Sequence, residues 1–243
     1  MIDIHCHILP GVDDGSGNFN DSIEMAKLAV ASGVHSIVAT PHLNTFDDES
    51  SYWFLEIENL LNKLQKEIKE RGIPVSIFPG QEILLTSSSL GDIKKGKFIS
   101  LNHSRYCLVE FTHYEKVSVA IRKLQKIISE GYIPIIAHPE RYDFVREQGD
   151  AIYRMKETGC LIQVNKGSLK GHFGRETREC AFDILRNRDA DFVASDGHSQ
   201  YNRTPCLSDA YEIICDHFSS DYADFLLNDN PQRLLNDEKI YIF

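Results

Sequence analysis

The chain has 243 residues, 42% of them apolar and 26% charged, and its 36 acidic against 26 basic residues leave a formal charge of -10. That apolar fraction is too high for a disordered chain, and the length suits a single domain, residues 1–243, with one sizeable core. No Lys/Arg block is longer than a few residues, so the acidic balance excludes a nucleic-acid binder or an anionic membrane surface as partner.

The chain opens on Met-Ile-Asp-Ile-His with no basic and apolar leader pattern, and no stretch approaches the roughly 18 apolar residues of a membrane span. A soluble cytoplasmic protein without membrane insertion is the expectation. Short β-branched or aliphatic runs then alternate with longer segments of helical period, the pattern of consecutive βα units and a mostly parallel sheet. The predicted strands are Ile2–His5, Ser36–Thr40, Val75–Pro79, Tyr106–Phe111, Ile133–Ala137, Leu161–Val164 and Phe192–Ser195. Between them the period predicts helices over Ser22–Ser32, Tyr52–Arg71, Val117–Glu130, Ala151–Thr158 and Arg175–Arg188. In the second, Ile57, Leu60, Leu61, Leu64 and Ile68 fall on one face, which a core explains fully. Gly33, Gly72, Gly131 and Gly159 each follow a helix, where a left-handed C-cap is expected. Ser87–Lys97 reads as an irregular excursion, and the tail after Asn230 as a short helix and a final strand. The six cysteines stand singly, without a C-x-x-C pair, and read as reduced core thiols.

The histidines and carboxylates collect at the C-terminal ends of these runs. His5 and His7 close the first, His42 follows the second, Glu82 the third, Glu110 ends the fourth, His138 follows the fifth, and Asp196 and His198 follow the seventh. In a barrel these positions converge on one mouth, the face where barrel enzymes place their chemistry. Strand-end windows cover about 15% of the chain, so roughly one or two of the histidines would fall there by chance; five do. Side chains two apart on a strand point to the same side, so His5 and His7 can share a metal while Cys6 points away. With Asp14 they form a set of nitrogen and oxygen donors sufficient for two or three divalent ions. Burying four carboxylates together without cations would cost several kcal/mol. His35, His103, His172 and His217 lack this placement and read as scaffold residues, and His113 as a loop histidine.

Met1–Gly15 (MIDIHCHILPGVDDG), Ala39–His42 (ATPH), Gly80–Ile83 (GQEI), Leu108–Phe111 (LVEF), Ala137–Tyr142 (AHPERY), Gln163–Asn165 (QVN) and Ser195–His198 (SDGH) resemble the polymerase-and-histidinol-phosphatase (PHP) superfamily. The likeness runs in order along nearly the whole chain and is nearest to the branch of bacterial capsule and exopolysaccharide protein-tyrosine phosphatases. Leu43, where relatives often carry a second His, and the neighbours of His198 depart from it. The resemblance implies an α/β fold, a distorted (βα)7 TIM-like barrel, with three divalent metal ions, manganese first and iron, zinc or cobalt as alternatives. One metal would take His5, His7, Glu82 and Asp196; a second would share Glu82 and add Glu110 and His138; the third would take Asp14, His42 and His198. Arg141 and Arg203 would match the phosphate-binding arginines, each of which would otherwise read as a surface ion pair. Three divalent ions would change the formal charge from -10 to -10 + 6 = -4, making the mouth locally positive.

Two metals about 3.5–4 Å apart can bridge a water and present hydroxide in line with phosphorus, and the resemblance implies that the phosphate hydrolysed is that of phosphotyrosine. The implied partner is a phosphotyrosine-containing protein, such as the tail of a tyrosine kinase controlling polysaccharide export. The alternatives are a small-molecule phosphomonoesterase, for example on histidinol phosphate, and a module that binds phosphotyrosine without turnover. Cys180 to Arg186 has the C-x5-R spacing of cysteine phosphatases, but the intervening AFDIL is apolar, helical and without Gly, so it cannot cradle a phosphate.

Overall fold

A computed structural model describes residues 1–42, 50–241 and 243. Leu43, one of the two departures noted above, lies outside them. Among the described residues eight parallel strands form, β1 Ile2–Cys6, β2 Ser36–Ala39, β3 Ser76–Pro79, β4 Glu82–Leu84, β5 Tyr106–Glu110, β6 Ile133–Ala137, β7 Leu161–Asn165 and β8 Phe192–Ala194. They divide into a three-stranded sheet, β1-β2-β3, and a five-stranded sheet, β4-β5-β6-β7-β8. The seven expected runs are all strands; the eighth, β4, was not expected. It has three residues and is separated from β3 by only two, too short and too close to be read as separate. Gly80 makes the break possible, because a Cβ there would lie 2.7 Å from Val38 Cγ1.

No closed sheet forms among the described residues. The five-stranded sheet instead meets the other at each of its own edges through a single parallel bridge, Gly197 just after β8 with Cys6 of β1, and Glu82 of β4 with His42, just after the central β2. The α/β architecture with parallel strands is as expected, and its strands are covered on both sides. Ile37, Cys107, Val109, Ile136, Ile162, Val164 and Val193 pack outward in the larger apolar cluster with helical residues such as Ala120 and Leu124. Ile2, Ile4, Val38, Tyr106, Leu108, Ile135, Ala137, Phe192 and Ala194 pack together in a second cluster, joined by Leu101, Leu234 and Ile240.

The helices form where the apolar period placed them, Phe19–Ala31, Ser50–Glu70, Val117–Ser129, Ala151–Lys156 and Arg175–Arg186 among them. Gly33, Gly72, Gly131 and Gly159 all adopt positive φ, from 67° to 93°. The Ser87–Lys97 segment is not irregular: Ser87–Lys94 is a helix, started by a capping box in which Thr86 and Ser89 exchange side-chain bonds with each other's backbone N–H. The tail forms the helix Asn230–Leu235, and no final strand follows among the described residues.

Candidate functional site

The site is the polar end of the inner cluster. Along β5 the inward positions run from Tyr106 and Leu108 to Glu110, along β7 from Leu161 to Gln163 and Asn165, and from β8 through Phe192 and Ala194 to Asp196. Alternation thus carries each apolar column into a polar residue at the strand's C-terminal end. On β1 the register with β2 shifts between Asp3 and Cys6. Cys6 packs in the outer cluster, while His5 and His7 turn to each other with their Nε2 atoms 3.2 Å apart. The irregularity re-aims the pair, as β-bulges beside functional sites do.

Eight of the nine expected metal ligands fall into three overlapping groups, each with donor atoms within 4.8 Å of one another: His5, His7, Glu82 and Asp196; His7, Asp14, His42 and His198; and His42, Glu82 and Glu110. Glu82 is the hub. Its Oε2 lies 3.1 Å from His5 Nε2, 3.2 Å from His7 Nε2 and 3.5 Å from His42 Nδ1, and its Oε1 2.9 Å from His138 Nε2. His138, the ninth, belongs to none of the three groups and reaches them through Glu82. Asp14 Oδ1 stands 3.5 Å from His42 Nε2 and 3.4 Å from His198 Nε2. Arg141 and Arg203 both pair with Asp196 Oδ2, Arg141 Nη1 at 3.1 Å.

The charge balance of this cluster asks for cations. Burial alone would push the His7 imidazole down, but its bonds to Asp13 and Glu82 reverse this and carry it up to about 10. Burial would raise both Glu82 and Asp196, yet the neighbouring imidazoles hold each below the usual carboxylate range. His198 is pushed down to about 4 by burial and by the charge of His7. The carboxylates thus favour positive charge on the rings facing them, and the same field favours a divalent ion that displaces those protons. Asp196 Oδ1 is buried with no hydrogen-bond partner among the described residues, while His5 Nε2, His7 Nε2 and His198 Nδ1 lie 3.4–3.6 Å away. An orphaned buried carboxylate oxygen facing three imidazoles fits a metal site in the chemistry of its donors. Three residues here, His138, Asp196 and Arg203, hold positive φ of 36°, 50° and 51°, a backbone cost of the kind that clusters at active sites.

Four residues that carried no role in the sequence reading support the candidate ligands. Asp13 Oδ2 accepts from His7 Nδ1 at 2.7 Å. Gln163 Oε1 lies 2.9 Å from His5 Nδ1. Asn165 Nδ2 donates to Asp196 Oδ2 at 2.7 Å, and Asp3 accepts from Ser195 N at 3.0 Å, just before Asp196. Ring nitrogens that face a metal are usually oriented in this way from behind. A carboxylate directly beside a candidate ligand, as Asp13 is beside Asp14, was the available sign; the contacts of Gln163 and Asn165 lie too far apart in sequence to show one.

Among the remaining histidines, His35 Nδ1 lies 3.0 Å from Ser36 Oγ and His217 sets its ring edge on Phe182 at 4.9 Å, both scaffold contacts. His113 Nδ1 lies 3.0 Å from the Arg141 carbonyl oxygen. Cys180 and Arg186 share the Arg175–Arg186 helix rather than a loop, and burial pushes the Cys180 thiol up to about 12. A thiol so hard to ionise is no nucleophile.

Residues 1–236 match the family model described as capsular polysaccharide synthesis, CpsB/CapC. The chain is 35% identical to the tyrosine-protein phosphatase YwqE of Bacillus subtilis (strain 168) over 243 residues, 99% of this chain and 94% of that protein. It is 29% identical to the tyrosine-protein phosphatase CpsB of Streptococcus agalactiae serotype V, over 99% of this chain and all of that one. Among solved structures, a chain from the crystal structures of YwqE from B. subtilis and CpsB from Streptococcus pneumoniae, described as unique metal-dependent tyrosine phosphatases, superposes with a TM-score of 0.91, 35% identity and coverage of 99% and 96%. Histidinol phosphate phosphatase from Lactococcus lactis, at 14% identity and a TM-score of 0.54 over 93% of this chain and 94% of that one, shares the fold. The match along nearly its whole length shows that the chain belongs to the CpsB/CapC family of capsular polysaccharide synthesis.

Proposed function

We propose that the chain is a metal-dependent protein-tyrosine phosphatase whose substrate is a phosphorylated tyrosine in a kinase tail that controls capsule or exopolysaccharide synthesis. The observation that carries this reading is the Glu82-centred cluster, in which eight candidate donors and two arginines meet at one end of the strands, together with the tyrosine-phosphatase relative at 35% identity. In this reading the two sheets are halves of one distorted barrel, and the chain works in the cytoplasm; no described helix is long and apolar enough to cross a membrane.

Three divalent ions, manganese first, suit the donor set. His5, His7, Glu82 and Asp196 would hold one, Glu82, Glu110 and His138 the second, and Asp14, His42 and His198 the third. When bound, such ions lower the pKa of a coordinated water and neutralise charge on a phosphate. Arg141 and Arg203 converge on Asp196 Oδ2 and are only partly buried, so the outward N–H groups of both can take nonbridging phosphate oxygens. Asp196 neutralises part of the guanidinium charge while keeping both forks in place. The phenol leaving group, with a pKa near 10, needs less protonation than an alkoxide, and no side chain is assigned that task.

The test is hydrolysis of a phosphotyrosine peptide and of histidinol phosphate, each with and without chelator, alongside metal analysis of the purified protein. Loss of peptide hydrolysis on chelation and a preference for the peptide are expected. A large preference for histidinol phosphate, or activity indifferent to chelator, overturns the proposal.

A further inference from the structure

Between β7 and the Arg175–Arg186 helix the chain makes a compact return, residues 166–174, to which the sequence assigns no chemistry. The turn Lys166–Leu169 follows Asn165, and Gly171 and Gly174, at φ of 78° and 91°, turn the chain back. His172 N donates to Gly167 O at 3.0 Å, which brings Phe173 over Gly167. A Cβ on Gly167 would lie 2.8 Å from Phe173 Cε2, so the ring rests against bare backbone. Above Phe173 stands Arg141, its Cζ 4.6 Å from the ring centroid.

The residue before Arg141 is gripped by the same segment. Glu140 Oε1 accepts from Asn165 N at 2.9 Å and from Ser168 Oγ at 2.6 Å. Asn165 in turn accepts from Gly167 N at 2.9 Å and donates to Asp196 Oδ2 at 2.7 Å, the oxygen that also takes Arg141 Nη1. A closed circuit of contacts therefore runs from Asp196 through Asn165, Gly167 and Phe173 to Arg141 and back. Arg203 pairs with the same oxygen, but among the described residues no aromatic ring lies over it.

We infer that Phe173 is a positioning residue for phosphate recognition, holding the Arg141 guanidinium by its face so that its edge stays available to the substrate. The inference rests on the reading of Arg141 as a phosphate ligand. A guanidinium attracts an aromatic ring through its face and binds oxygen through in-plane N–H groups, so the two interactions do not compete. The Arg side chain is long and flexible, and one ion pair to Asp196 at its tip leaves the rest of the fork free to swing. Contact with a ring that is itself packed against Gly167 removes that freedom before the phosphate arrives, which is how preorganisation strengthens binding.

The test measures kcat/KM on an aryl phosphate and the inhibition constant of inorganic phosphate in metal-loaded protein. Phe173→Leu keeps apolar volume but removes the π face. It is expected to lower kcat/KM and raise the phosphate inhibition constant, each about 3- to 10-fold, with bound metal unchanged and Phe173→Tyr restoring both. In an Arg141→Ala background the same Leu substitution should change either quantity by less than about 1.5-fold, which a merely structural loss would not do. Wild-type values in Phe173→Leu, or an effect undiminished in the Arg141→Ala background, overturn the inference. If Arg141→Ala alone leaves phosphate inhibition unchanged, the phosphate role of Arg141 fails and takes the inference with it. A clear Arg141→Ala effect with a silent Phe173→Leu sinks the role of Phe173 alone.

Discussion

Two aspartates bracket the three-residue strand β8, and they are buried to the same degree but used differently. Asp191, before the strand, has both oxygens engaged: Oδ2 accepts from Ile162 N at 2.8 Å and from Lys156 Nζ at 3.2 Å, and Oδ1 from Lys156 Nζ at 3.4 Å. Asp196, after it, crowds Arg141, Arg203 and Asn165 onto Oδ2 and leaves Oδ1 with no hydrogen bond among the described residues. Burial dominates at Asp191 and pushes it up to about 6, whereas at Asp196 His5 and its neighbours overcome burial and hold the carboxyl low. At equal burial, completeness of partners separates a carboxylate that closes the fold from one that turns a free oxygen to three imidazoles.

The largest expected effect is at the hub of the incomplete side. Glu82→Gln keeps the shape of a side chain that faces His5, His7, His42 and His138 but replaces the carboxylate by a neutral amide with a single acceptor oxygen. In the proposed reading it loses a shared ligand, and kcat/KM on an aryl phosphate should fall on the order of 10³-fold, with bound metal per chain reduced. Wild-type turnover and metal content in this variant would break the contrast at its strongest point.

The complete side predicts a stability effect without loss of function. Because the folded pKa of Asp191 lies above its ordinary value of 3.8, the folded chain binds an extra proton between about pH 4 and 6, and stability falls as pH rises through that window. Asp191→Asn removes the titration while keeping an acceptor for Ile162 N. The difference in unfolding free energy, variant minus wild type, should therefore rise by up to about 3 kcal/mol from pH 4 to pH 7. Urea unfolding of both proteins in chelator, which removes metal-linked protons, measures it; a difference independent of pH would mean that burial does not perturb Asp191.

How much of this was legible in the sequence depends on the distance over which each contact acts. The strands and the candidate ligands at their ends were readable because alternation and strand-end placement are local patterns: the columns ending at Glu110 and Asp196 follow from period two. β4 was hidden by its three residues, and the Ser87–Lys94 helix by a Ser-rich start that resembles a loop until the Thr86–Ser89 capping box is recognised. Of the distorted barrel implied by the resemblance, the parallel α/β sheets form, while among the described residues each seam between the two sheets is a single bridge and no closed sheet results. Gln163 on His5 and Phe173 on Arg141 join residues far apart in sequence, and no periodicity encodes such a pairing.

Asp13 sharpens the contrast because it is complete, like Asp191, yet stands at the mouth. Its Oδ2 accepts from His7 Nδ1 at 2.7 Å and His42 N at 3.1 Å, and its Oδ1 from Gly15 N at 2.9 Å. Burial would raise its pKa, but the His7 bond outweighs this and holds it low. A carboxylate that receives Nδ1–H commits His7 to presenting Nε2, and the bond to the His42 backbone ties two of the donor groups together. Gly15 admits this turn, since a Cβ there would fall 2.3 Å from the His7 carbonyl oxygen. Completeness at the mouth therefore orients ligands instead of closing the fold. Asp13→Ala should weaken metal binding about 10- to 100-fold, read by competition with a chelator, while the melting temperature of the metal-free protein changes by only a few degrees. Asp13→Asn, which keeps one acceptor oxygen, for Gly15 N or for His42 N but not both, and loses the charge, should fall between. Unchanged metal affinity in both variants would place Asp13 with Asp191, as a carboxylate that serves the fold alone.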